Sequence, residues 1–149
     1  MDSKTIEKNI VYDNEFEEII RDLIENETVQ EMKQYIQHCD TTCFDHCKNV
    51  AYYSYLICKK HRLDFYSAAR GGMLHDLFLY NWRKSERRVQ LEGLHAFVHP
   101  KIALINSMKL FHLNNIEKDV ILKHMWPVTF FSFPKYKESY IITLVDKYC

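Results

Sequence analysis

The chain has 149 residues, 47% hydrophobic and 14% aromatic, which is enough apolar material for one domain with a real core. Lys plus Arg and Asp plus Glu number 20 each, so the basic excess of a dedicated nucleic-acid binder is missing and that class is set aside. Three Gly and three Pro are few for an all-β or loop-rich fold, and no run approaches the roughly 18 apolar residues of a membrane span.

The first residues, MDSKTIEKNIVYDNEFEE, are charged and lack the apolar core of a secretory signal. A cytoplasmic protein with reduced thiols is therefore the expectation for the five cysteines. Residues 1–12 read as a loose arm. From Asn14 the apolar residues Phe16, Ile19, Ile20, Leu23 and Ile24 recur at the spacing of a core-facing helix, with Asn14 and Glu17 as its capping pair. A second helix is expected from Thr28, turning Val29, Met32 and Ile36 inward. A long helix follows over about 42–60, where His46 heads a stripe through Val50, Tyr53 and Ile57. Cys39, Cys43 and Cys47, with His38 and His46, admit two readings. One is a zinc site, although the tight CxxC knuckle is missing; the other is a row of small buried thiols.

Asp64 can cap the next helix, which is expected to run through Gly71 and Gly72 to His75-Asp76 and to end near Tyr80. Each Gly costs about 1 kcal/mol in a helix interior relative to Ala. Two in succession mean that another backbone, or a site, comes close. The His75 imidazole and the adjacent Asp76 carboxylate suit a divalent metal. The polar connection from Asn81 to Gly93 carries Arg83, Lys84, Arg87 and Arg88. It reads either as a solvated loop or as a phosphate-facing lid. Pro100 is expected at a first helical position with His99 at the cap, and Leu104, Met108 and Phe111 on one face. Asn114 and Glu117 open another helix, whose stripe Ile116, Val120, His124 carries an imidazole inward before Pro127 ends it. The last helix, from about Lys135, sets Asp146 beside Ile142 and Val145, where a carboxylate needs a partner.

His46, His75, His99, His124 and Asp146 are 29, 24, 25 and 22 residues apart. Each step is about one helix and a return, so successive groups arrive from successive antiparallel helices at similar depth. With Asp76 they make four imidazoles and two carboxylates, enough for two metal ions sharing a bridging Asp.

The pattern His46…His75-Asp76…Asp146 resembles the HD superfamily of metal-dependent phosphohydrolases over roughly residues 38–149. The segments GGMLHDLFLYNW, HAFVHP, KHMWPVT and YKESYIITLVDKYC look like those of a bacterial branch of HD-domain proteins. The resemblance implies an all-α, single-domain bundle of six or seven helices spanning residues 1–149. It assigns His46, His75, Asp76 and Asp146 to a first metal, with Asp76 bridging. His99 and His124 match the additional histidines of two-metal members. The implied cofactor is one or two divalent transition ions, Mn, Fe, Co, Ni or Zn, and the implied partner is a small phosphate-containing substrate. A metal-activated hydroxide would attack phosphorus, with Asp76 at the centre and Lys123 and Arg83 (or Lys84) as phosphate contacts. No Gly-Tyr-Pro segment of the cyclic-di-GMP branch is present, so that substrate is not carried over. The same ligand set is similar to that of the superfamily's mixed-valent di-iron oxygenases, and a third reading is a non-catalytic domain that binds a nucleotide or a partner.

Overall fold

The computed structural model describes residues 10–38, 40–79 and 88–149, without the side chains of His38 and of residues 88–96. Within them the fold is all-α: seven α-helices and one two-stranded antiparallel ribbon. The helices are α1 (Asn14–Ile24), α2 (Glu27–Gln30), α3 (Cys43–Lys60), α4 (Phe65–Leu74), α5 (Arg88–Leu110), α6 (Asn115–Lys123) and α7 (Lys137–Tyr148). The ribbon pairs β1 (Ile36–His38) with β2 (Thr41–Thr42), joining Ile36 to Thr42. No described helix is long and apolar enough to cross a membrane.

Polar caps fix where the helices start. Side-chain oxygens of Asp13, Asn26, Thr42, Asp64 and Asn114 accept the backbone N–H of Phe16, Thr28, Asp45, Ser67 and Glu117 at 2.8–3.1 Å. Each such cap stabilises its helix by about 1 kcal/mol. The cap of α1 is Asp13, one residue before the expected Asn14. Tyr12, at the end of the expected arm, is tied down: its hydroxyl donates to Asn49 at 2.8 Å and its ring packs on Phe16 and Tyr52.

The helix expected from Thr28 is only one turn, tightening into a 3₁₀ turn over Glu31–Gln34. The backbone extends at Tyr35, so Ile36 lies in β1 and is exposed instead of facing the core. In α3, His46 and Val50 are buried, but Tyr53 and Ile57 reach solvent. The inner face continues instead through Ala51, Ser54, Tyr55 and Cys58, because the row four residues apart passes through 54 and 58. Cys43, Cys47, Cys58 and Cys149 are free thiols.

Helix α4 is the axis of the molecule, touching α1, α3, α5, α6 and α7, and every residue from Ser67 to Leu74 is buried. Its two glycines make that possible. A Cβ on Gly72 would stand 2.8 Å from the Ala51 Cα of α3, and one on Gly71 would stand 2.8 Å from Val120 Cγ1 of α6. The close backbone approach expected from the glycine pair is therefore present. Gly72→Ala would gain about 1 kcal/mol of helix propensity. It would clash with backbone, which cannot rotate away, and overpacking of this kind costs about 1–3 kcal/mol. The expected net result is a melting temperature lower by several degrees, read by calorimetry.

Helix α4 stops at Leu74, short of the expected end near Tyr80, because the chain turns at His75 and adopts a left-handed backbone at Leu79, φ 55°. Helix α5 runs unbroken through Pro100, which therefore is not a first helical position, and His99 is a mid-helix residue, not a cap. An interior proline loses its own N–H bond and its ring crowds the carbonyl four residues back, but its fixed φ is compatible with the helix, so the surrounding packing keeps the helix continuous. Among the described side chains of α5, His99, Pro100, Ala103 and Ser107 are buried; Met108 is exposed. The expected connection Asn81–Gly93 is helical from Arg88 onward, and its earlier part lies outside the described residues. Helix α7 begins at Lys137, two residues later than expected; the Lys135 N–H and the Ser139 hydroxyl both bond Asp119 Oδ2.

Candidate metal centre

Five segments deliver the six side chains: His46 from α3, His75 and Asp76 just past the end of α4, His99 from α5, His124 at the end of α6 and Asp146 from α7. Their potential ligand atoms form two groups, His46–His75–Asp76–Asp146 and Asp76–His99–His124, within each of which the atoms lie no more than 4.8 Å apart. Five of the six residues are buried, and Asp146 keeps 18% of its side chain exposed.

Asp76 is shared, and its two oxygens are divided. Oδ2 lies 3.2 Å from His75 Nε2 and 3.7 Å from His46 Nε2, while Oδ1 lies 3.3 Å from His99 Nε2 and 3.2 Å from His124 Nε2. Asp146 Oδ1 completes the first group, 2.8 Å from His46 Nε2 and 3.2 Å from His75 Nε2. In the second group the two imidazoles meet Nε2 to Nε2 at 2.8 Å.

Backbone carbonyls decide which ring nitrogens are left for a ligand. His75 Nδ1 donates to the Gly72 carbonyl at 2.6 Å and His124 Nδ1 donates to the Ile121 carbonyl at 2.8 Å, since a carbonyl can only accept. In the neutral rings the Nε2 atoms then carry lone pairs, aimed at carboxylate oxygens that also only accept. Asp76 Oδ1 is fully buried and, among the described residues, makes no hydrogen bond, although two imidazole nitrogens are close. Lone pairs converging on one point are satisfied by a proton or by a cation. Imidazole nitrogen and carboxylate oxygen together are a donor set for Mn, Fe, Co, Ni or Zn.

The electrostatics carry the same pattern. Burial alone would push His75 down, but the Asp76 and Asp146 charges beside it hold it well above its ordinary value. Burial would raise both carboxyls, yet the surrounding imidazoles hold Asp76 and Asp146 well below the usual range. His124, with burial dominant, is held down and so kept neutral. The raised His75 stabilises the empty chain below about pH 6.5, and that contribution is lost as pH rises through its folded pKa. The two depressed carboxyls contribute above about pH 4, and lose that as pH falls through their folded values. An ion in the first group would displace the His75 proton. The thermal stabilisation given by Mn(II) is therefore expected to grow as pH rises from about 6.5 through the raised folded value of His75, with proton release on binding measurable by calorimetry.

One residue at the site has no signal in the sequence pattern. Gln37 of β1 donates its amide to Asp76 Oδ2 at 3.1 Å, fixing the orientation of the shared carboxylate. Its ribbon is three residues against two, too short for an alternating pattern to show. Gln37→Ala is expected to weaken metal binding by about 10–100-fold while the helices stay intact, as read by chelator competition. Of the proposed phosphate contacts, Lys123 is engaged elsewhere: its ammonium donates to the Phe133 carbonyl at 2.8 Å and lies 3.7 Å from Asp119. It is not brought into the cluster, because the turn after α6 folds back over it. Arg83 and Lys84 lie outside the described residues, as do Cys39 and the side chain of His38 from the expected zinc reading. No family model, curated protein or solved structure matches the chain, and the centre stands on its own geometry.

Proposed function

We propose that the chain is a metal-dependent phosphohydrolase of the HD superfamily, acting on a phosphomonoester, nucleotide or phosphodiester. The observation that supports this most is the division of the Asp76 carboxylate between two imidazole groups, Oδ2 toward His46 and His75 and Oδ1 toward His99 and His124. A carboxylate with one oxygen toward each group could be shared by two ions, which would together supply an activated water and stabilise charge on a phosphoryl group. His46, His75, Asp76 and Asp146 would hold one ion, and Asp76, His99 and His124 the other. Bound there, the ions would supply Lewis acidity and a water of lowered pKa.

The protein's own contribution is fixed orientation. The Gly72 and Ile121 carbonyls hold the rings of His75 and His124, and Gln37 holds Asp76, so the ligands need little reorganisation on binding. The first group draws His46 and Asp146 from α3 and α7, which pack on α4, and His75 and Asp76 from just past the end of α4; Asp146 is the member that solvent reaches. Substrate would therefore enter on the Asp146 side.

The test is a panel of phosphomonoesters, nucleotides and cyclic nucleotides assayed with Mn(II), Co(II), Ni(II) and Mg(II). Release of phosphate or nucleoside that depends on the metal is the expected result. The ferrous protein under oxygen, given inositol-like or phosphonate substrates, is expected to be inert. Oxygen consumption coupled to substrate loss, with a mixed-valent iron signal, would instead favour the oxygenase reading.

A further inference from the structure

The thiols of Cys43 and Cys47 remain outside the centre described above, and they abut it. They occupy successive turns of α3 and are 1% and 0% exposed. Their sulfurs and an Asp76 carboxylate oxygen all lie within 4.8 Å of one another. The Cys43 thiol donates to the Asp76 backbone carbonyl at 3.4 Å, and neither cysteine is in a disulfide. The close contact of Gly72 with Ala51 clamps α3 against α4, so the sulfurs cannot drift from Asp76 without unpacking the two helices.

We infer that Cys43, Cys47 and Asp76 form a separate site for a thiophilic divalent ion of the Zn(II)/Cd(II) class, and that an ion there takes Asp76 away from the histidine centre. Two soft sulfurs and one carboxylate are a donor set distinct in softness from the imidazole groups on the other side of Asp76. On binding, two S–H bonds break, two sulfur–metal bonds form and two protons leave to solvent; nothing is oxidised or reduced. Because Asp76 belongs to all three groups, an ion on the thiolate side competes with ions on the histidine side for the same carboxylate. The exclusion of ions from the histidine centre rests on the function proposed above. The thiolate binding does not.

The experiment titrates Cd(II) into the Mn(II)-loaded chain. Released Mn(II) is followed by EPR, sulfur-to-cadmium charge transfer by near-ultraviolet absorption, and the ligand type by cadmium NMR. The expected result is about one thiolate-bound Cd(II) per chain, with a resonance well downfield of one bound by nitrogen and oxygen alone, and Mn(II) released in step. Cys39→Ser/Cys58→Ala/Cys149→Ser, which keeps only the pair, should behave like wild type. Cys43→Ala/Cys47→Ala should lose the charge-transfer band and need at least about tenfold more Cd(II) to release Mn(II). The inference is overturned if wild type shows no thiolate resonance, if the band is lost from the pair-only variant, or if the double alanine variant releases Mn(II) as readily as wild type. The NMR readout needs no variant, so it decides the thiolate binding even where the alanines disturb the core. A chain that never takes up Mn(II) would refute the proposed centre, while the cadmium resonance would still decide the thiolate site.

Discussion

Asp76→Asn is expected to strip the chain of transition metal while leaving its helices in place. The carboxylate is the one group common to both histidine groups, and an amide offers neither the charge nor two equivalent oxygens. Elemental mass spectrometry should find the content falling from about two ions per chain to background. Turnover of whichever panel substrate is best should fall by at least about 10³-fold, more than the loss of a single preorganised hydrogen-bond donor. The melting temperature should lose the increment that the ion supplies, about 8 °C at a hundredfold excess over Kd. The fold itself should survive, because Asp76 lies beyond the end of α4 and the caps that start the helices are elsewhere.

The second large effect separates two ions from one. His99→Ala or His124→Ala leaves His46, His75, Asp76 and Asp146 intact, so the content should fall by half, to about one ion per chain. Activity should drop by about 10²–10³-fold or more, because the remaining ion acts alone. His124 also donates to the Ile121 carbonyl, and its removal is expected to cost about 1–3 kcal/mol of stability in addition. Were the two histidines only core residues, that stability loss would be the whole effect, and the wild type would bind one ion from the start.

Most of the centre was legible because its residues are chemically loud and its helices are punctuated. Asp64 and Asn114 announce the starts of α4 and α6, and the near-regular spacing of the histidines matches one helix and a return. Buried polar side chains need partners, so the inward His46, His124 and Asp146 could be expected to meet. The glycine pair was legible for the same reason, since only a close approach justifies its cost. What local patterns could not carry was tertiary. Pro100 reads as a helix start, yet packing carries α5 straight through it. Asp13 and Asn14 are both good caps, and the choice between them depends on where Phe16 must point. The stripe through Tyr53 and Ile57 fails because the close approach of α4 favours Ala51 and Ser54 instead. Gln37 reaches Asp76 across 39 residues of sequence from a ribbon too short to have a periodicity.

Titration of the metal-free chain with Mn(II), followed by EPR, tests the proposed dinuclear centre most directly. About two equivalents should bind before the signal of free Mn(II) appears, and the bound pair should give a broadened, exchange-coupled spectrum, because Asp76 links the two sites. Saturation at one equivalent with an uncoupled single-ion spectrum, or no binding at all, would contradict it.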